Sequence, residues 1–182
     1  MTRRTSRTQD DAARLPQGDP GLLATAVATR LLASTIPARM AYLARDGAPR
    51  VVASWFHWTG EELVTATFAS APHVRRPAAR VSDLRADPRV AVTIDTEGFP
   101  PEVLTLRGRV TVAERAGVVP EYALAAARYL GDEAAGAYLG GLDHPSTRMV
   151  RIALRPSWVG LLDFQGRLPE ALGGIGERDG DA

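Results

Sequence analysis

The chain has 182 residues and no cysteine, and its 22 basic and 21 acidic residues leave a net charge of +1. This length suits one domain with a substantial core. The near-zero charge argues against nucleic-acid or membrane binding through bulk electrostatics, and the lack of cysteine excludes disulfides, thiolate metal sites and a cysteine nucleophile. Only three widely spaced histidines are present, which argues against a metal site as well.

Both ends of the chain have the composition of tails. Residues 1–18 are polar, charged and aperiodic, and residues 173–182 are rich in glycine and acidic side chains. We therefore predict disordered tails at 1–18 and 173–182 and a single domain at 19–172. Arg3 and Arg4 are not followed by an apolar run, so no export signal is predicted and the cytoplasm is the expected compartment.

The first predicted element is a helix near residues 20–33. Asp19 is placed to cap it, Pro20 suits its first position, and apolar residues follow at helical spacing. Two more helices are predicted over residues 120–130 and 132–139, where a pair of glycines ends the last one. We expect these helices to pack around a sheet.

The rest of the domain has the period of β-strands. The predicted strands are 40–44, 51–58, 63–68, 89–95, 104–112, 149–154 and 158–164. In the fifth of them Gly108 interrupts an alternating apolar and polar pattern, which indicates a bulge or a close backbone approach. Six or seven short antiparallel strands with few helices predict a mainly β protein with peripheral helices, built as a small barrel. A sandwich is the alternative.

A phosphate site is predicted near residue 80. Arg80 stands four residues before Leu84, at the start of a short helical turn that Pro88 ends. A guanidinium beside the free N–H groups of a helix start suits a phosphate.

Four segments of the chain, in their order and spacing, resemble the pyridoxamine 5'-phosphate oxidase-like family. They are Arg50 to Trp55, Leu63 to Thr67, the run Arg80, Leu84, Asp87, Pro88, Arg89 and Val90, and the pair Arg107 and Gly108. The resemblance covers about residues 36–168. It implies an FMN-binding split β-barrel, and a homodimer with the cofactor at the subunit interface.

The resemblance also implies a set of cofactor-binding residues. The strand from Arg50 contributes Arg50, Val51, Val52, Ala53 and Ser54, the next strand contributes Thr65 and Ala66, Arg80 holds the phosphate, and Phe164 approaches the cofactor. The family often has a second basic residue where Ala79 stands, and Arg75 and Arg76, in an apparent insertion at 69–77, could compensate. The family's substrate-holding histidine is absent after Arg167, where Leu168 and Pro169 follow, so pyridoxamine phosphate itself is not the expected substrate.

Three functions remain open on the sequence. The first is an FMN-dependent oxidoreductase that transfers hydride to or from flavin N5, with no catalytic residue assigned and an unknown small-molecule substrate. The second uses the deazaflavin F420 on the same fold, with its oligoglutamate tail near Arg75 and Arg76. The third is a non-catalytic module that binds or senses a flavin, which binding without turnover would reveal.

Overall fold

A seven-stranded antiparallel sheet is the frame of the protein in the computed structural model, which describes residues 14–164. The strands follow the order β2-β1-β5-β6-β7-β4-β3. Their bounds are β1 Ala38–Leu43, β2 Pro49–Ser54, β3 His57–Trp58, β4 Leu63–Ser70, β5 Arg89–Asp95, β6 Glu102–Ala116 and β7 Arg148–Asp163. The mainly β class predicted from the sequence is confirmed.

Four α-helices surround the sheet. They are α1 Ala26–Ala33, α2 Arg80–Ala86, α3 Pro120–Leu130 and α4 Asp132–Gly140, and a short 3-10 helix, Pro20–Ala24, precedes α1. The helix predicted at 20–33 is thus divided. Thr25 adopts an extended conformation, and its hydroxyl accepts a hydrogen bond from Ala28 N–H, so it caps a new helix instead of continuing the first. Among the described helices, none is long and apolar enough to cross a membrane.

The sheet curls until its two ends meet. β2 and β4 lie near opposite ends of the strand order, yet Ser54 Oγ and Thr65 Oγ1 are 2.5 Å apart. Inside the curl, buried side chains from α1, α2 and five strands form one main core. Closure of this kind protects most strand edges, as the predicted split barrel requires.

The strand predicted at 51–58 is interrupted. β2 ends at Ser54, and β3 begins at His57 on the other side of the gap. Trp55 and Phe56 between them turn toward α3, where Phe56 is fully buried and Trp55 stacks on Tyr129. Packing of these two aromatic rings against a helix therefore outweighs continuation of the strand.

The last two predicted strands form one strand, β7. Pro156 does not break it, because it pairs with Gly108 at a register shift in the β6–β7 ladder, where a bulge already disrupts the regular hydrogen bonds. A Cβ on Gly108 would lie 2.9 Å from the Arg155 carbonyl oxygen. The bulge and close approach predicted at Gly108 are both confirmed.

The chain also packs on β7 before the first helix. Gly18 N–H donates to the Val159 carbonyl at 2.8 Å, and the Gln17 side chain accepts from Leu161 N–H at 2.8 Å. The tail predicted at 1–18 included these two residues. The rest of that tail up to residue 13, together with 165–182 and therefore Arg167, lies outside the described residues.

Candidate functional site

A groove of about 360 Å³ opens where β2 and β4 come together. Its lining residues are Pro37, Ala53, Ser54, Trp55, Ala66, Thr67, Phe68, Arg80 and Tyr122. Most of them belong to the two strand segments and the basic residue that the sequence assigned to one site. Tyr122 of α3 and Pro37, just before β1, complete the lining. The groove is therefore the candidate functional site.

Strand pairing positions the polar edge of the groove. Ala38 of β1 pairs with Ser54 of β2, which brings Pro37 and the end of β2 to the same place. The Ser54 hydroxyl forms a hydrogen bond with the Thr65 hydroxyl, and Ala66, the next residue along β4, lines the groove. Ala53 and Ala66 are small, so a flat ligand can approach the backbone of both strands closely.

Arg80 supplies a positive charge at the groove. It is the first residue of α2, which Val81 and Leu84 anchor in the core. Within residues 14–164 its guanidinium forms no hydrogen bond or ion pair, although it is half-buried. Burial lowers the pKa of Arg80, a shift that Tyr42 opposes, but an arginine stays protonated at neutral pH. An anion in the groove would find this charge uncompensated.

Aromatic rings form another part of the groove wall. Trp55 stacks on Tyr129 with centroids 5.3 Å apart, and Tyr122 lies at 6.2 Å from both Trp55 and Phe68. The Tyr122 and Tyr138 hydroxyls are 2.7 Å apart. Burial and this hydrogen bond raise the pKa of Tyr122, so its hydroxyl stays protonated across the neutral range. The wall is suited to contact a planar ring.

The structure brings together part of the predicted site. Ala53, Ser54, Ala66 and Arg80 line the groove, and Thr65 lies behind it, bonded to Ser54. These residues belong to β2, β4 and α2, which are distant in sequence. The two strand segments named by the resemblance therefore meet at Arg80.

The other predicted residues lie outside the groove lining. Arg50 is exposed and pairs with Asp46 at 2.8 Å, Val51 is 69% exposed, and Val52 packs on the main core. Phe164 is exposed after the end of β7. The loop residues Arg75 and Arg76 are exposed as well. His73, in the same loop, packs edge-on against the groove residue Phe68, with ring centroids 5.1 Å apart. This contact places the basic loop beside the groove.

Sequence reasoning missed the aromatic part of the groove. Trp55 and Phe68 stand at the ends of the two strand segments that the resemblance named, so proximity to those segments was the available signal. Tyr122 belongs to α3, more than fifty residues later in the chain, and its alanine-rich helix gave no signal. The packing of α3 on Trp55 and Phe68 brings Tyr122 to the site.

Comparison with known proteins connects this geometry to a fold family. No protein-family model and no curated protein sequence matches the chain. Solved structures do match. An F420 reductase is 27% identical and covers 71% of this chain and 93% of its own, with a TM-score of 0.50. The conserved hypothetical protein Rv2991 from Mycobacterium tuberculosis is 17% identical over 84% of this chain and 89% of its own, with a TM-score of 0.55.

The chain has the pyridoxamine 5'-phosphate oxidase-like fold. A putative pyridoxamine 5'-phosphate oxidase from Listeria innocua is 17% identical over 72% of this chain and 92% of its own, with a TM-score of 0.48. In this protein, the two helices α3 and α4, which follow β6 and precede β7 along the chain, carry the tyrosines Tyr122 and Tyr138 near the groove between β2 and β4. No metal-binding group of histidine and carboxylate side chains occurs within residues 14–164.

Proposed function

We propose that this protein is an oxidoreductase that binds a phosphate-bearing flavin or deazaflavin cofactor in the groove. The observation that carries the proposal is the half-buried Arg80, which lines a groove with small residues on both strands. Within the described chain, Arg80 has neither a hydrogen-bond partner nor an ion-pair partner. A cation held in this way stabilises a phosphate, and the flat, partly aromatic walls suit a tricyclic ring.

Each part of the groove has a separate role in this proposal. Arg80 neutralises the phosphate, while Ala53 and Ala66 let the ring system approach the strands. Ser54 and Thr65 hold the two strands together through their hydroxyls. A bound ring of this type supplies hydride transfer to or from a small-molecule substrate. The protein contributes binding, orientation and the exclusion of water, and Tyr122 presents a protonated hydroxyl beside the groove.

Three considerations favour F420 as the first cofactor to test, with FMN as the alternative. One solved structure that this chain resembles, with 27% identity and a TM-score of 0.50, is an F420 reductase. F420 also carries a phosphodiester with one charge, which a single guanidinium matches better than the roughly −2 charge of a phosphomonoester such as that of FMN. Arg75 and Arg76 are exposed and form no ion pair in the described chain, so they are available to an oligoglutamate tail.

We also propose a homodimer in which a second copy covers the groove. β2 is the first strand of the sheet, and no strand within residues 14–164 pairs with its outer edge. Its Val51 side chain is 69% exposed. An unpaired edge with exposed apolar side chains is a surface that proteins ordinarily cover. The groove beside it is open in the single chain, so a partner could complete the site.

The proposal is tested first by cofactor binding and then by turnover. The purified full chain is titrated with F420 and FMN, and the loaded protein is then reduced and mixed with candidate electron acceptors. Saturable binding followed by reoxidation that depends on an added acceptor supports an oxidoreductase. Tight binding without any turnover would instead identify a flavin-binding or sensing module, and no binding of either cofactor would contradict the proposal.

A further inference from the structure

A second cavity, of about 410 Å³, lies between α1, β3 and α3 and shares no lining residue with the candidate groove. The apolar side chains that line it include Leu23, Leu32, Trp58 and Leu124. His57 and Arg128 add polar groups to this lining, and we name the cavity the Arg128 pocket. Apolar walls with a few convergent polar groups are the usual make-up of a small-molecule site.

Arg128 brings to this pocket a charge that no carboxylate within residues 14–164 neutralises. Its Nη1 donates to the Leu32 carbonyl at 3.1 Å and its Nη2 donates to the Phe56 carbonyl. The rings of Phe56 and Tyr129 lie 4.5 and 5.1 Å from Cζ, and Nε is buried without an acceptor. All these partners are neutral. Within the described residues the charge is therefore fixed in position and not neutralised, which favours an anion in the pocket.

His57 is the second polar group of the pocket. Burial and the charge of Arg128 lower the pKa of His57, while Glu121 opposes them. Glu121 is itself held by Arg151, which also pairs with Glu62. The imidazole is therefore neutral at pH 7 and can donate one hydrogen bond to an anion.

We propose that the Arg128 pocket binds a small amphipathic monocarboxylate, with its carboxylate toward Arg128 and His57 and its apolar body against Trp58 and Leu124. One guanidinium matches one negative charge. The apolar walls exclude a ligand that is polar on every side, because its polar groups would lose water without gaining partners. This site does not depend on the identity of the groove cofactor.

Decanoate and decanol are suitable probes, because they share an apolar body and differ in charge. Each is titrated into the isotope-labelled full chain while the Trp58 indole N–H and the Ala33 amide, both at the pocket, are followed by NMR. We expect saturable decanoate shifts at both groups and at least tenfold weaker binding of decanol. Decanoate binding should also strengthen as pH falls toward the pKa of His57, since the bound carboxylate favours the imidazolium, and His57→Asn should remove this dependence.

Replacing either of two leucines on α3 by glutamate gives a matched comparison that leaves Arg128 in place. Leu124 lines the pocket and is 54% exposed, whereas Leu130 is 39% exposed and is not part of its lining. Leu124→Glu places a negative charge at the pocket and should weaken decanoate binding about fivefold or more, since like charges repel. Leu130→Glu should leave the affinity unchanged.

Several results would overturn this inference. Equal affinity for decanoate and decanol would remove the role of the charge, and an unchanged affinity in Leu124→Glu would place the probe elsewhere. NMR shifts confined to residues of the candidate groove, such as Thr67, would also place the probe outside the Arg128 pocket. If the Trp58 and Ala33 signals changed on dilution of the protein without probe, a second copy of the chain would be the occupant, and the proposed ligand site would be wrong.

Discussion

Two arginines of this protein show how different surroundings give the same side chain different roles. Arg151 is 20% exposed and lies 2.9 Å from Glu62 Oε2 and 2.8 Å from Glu121 Oε1. Arg80 is also partly buried, yet it has neither a carboxylate nor a hydrogen-bond acceptor in the described chain. A compensated charge joins strands and helices, whereas an uncompensated one in a groove is available to a ligand.

Gly108 gives a prediction about close packing. A Cβ at this position would lie 2.9 Å from both the Arg155 carbonyl oxygen and Leu154 Cδ1, so Gly108→Ala forces β6 and β7 apart at the bulge. We expect a loss of about 1–3 kcal/mol in the free energy of unfolding, measured with urea. Gly98→Ala is the control, because a Cβ there meets no atom within 4 Å. Equal effects of the two substitutions would contradict the close approach.

Glu121 gives a prediction about how the stability of the protein depends on pH. Burial alone would raise the pKa of Glu121, but its hydrogen bond and charge interaction with Arg151 outweigh burial and lower it. Its contribution to stability is therefore present above the unfolded pKa, about 4.3, and is lost as pH falls through the lower folded value. Glu121→Gln should make unfolding free energy less dependent on pH between about 5 and 3. The same dependence in both proteins would show that the ion pair does not form.

Among the elements, Arg151 joins β7 to the turn just before β4, through Glu62, and to α3, through Glu121. Arg151→Ala leaves Glu62 and Glu121 partly buried without their cation, and we expect about 2 kcal/mol of destabilisation in urea unfolding. Arg155→Ala, on the same strand, removes an exposed pair with Glu61 and should cost less than about 0.5 kcal/mol. If the two losses were similar, the buried pairs would not connect these elements.

The elements with strong local signals could be predicted from the sequence, and those set by distant contacts could not. Arg89–Asp95 and Pro120–Leu130 have the predicted bounds, because their periodicity and starting residues agree with their packing. The interruption after Ser54 depends on rings that pack on α3, and the continuity of β7 depends on a bulge in β6. Likewise, the sequence identified Ala53, Ser54 and Ala66 through a family resemblance. It identified Arg80 both from its place at a helix start and through that resemblance. It gave no indication of Tyr122, which reaches the groove only through tertiary packing.

At the scale of the whole molecule, the unpaired edge of β2 predicts self-association. Val51→Asp places a charge on its exposed apolar surface and should convert a dimer to a monomer, as measured by analytical ultracentrifugation. Thr111→Asp, at an exposed position of β6, is the control and should remain dimeric. A wild-type protein that is monomeric at every concentration would contradict the proposed dimer, although it would leave the groove intact.

We propose that Arg80 holds the phosphate of a flavin or deazaflavin in the groove. The most direct measurement is the dissociation constant of F420 and of FMN for the wild-type protein, Arg80→Ala and Arg85→Ala, the last being an exposed arginine on the same helix. We predict binding of F420 that weakens about 10- to 100-fold in Arg80→Ala and is unchanged in Arg85→Ala, since a hydrogen bond to a charged group contributes about 1.5–3 kcal/mol. A preference for FMN with the same loss would change only the cofactor. Equal affinities in all three proteins, or binding of neither cofactor, would contradict this role of Arg80.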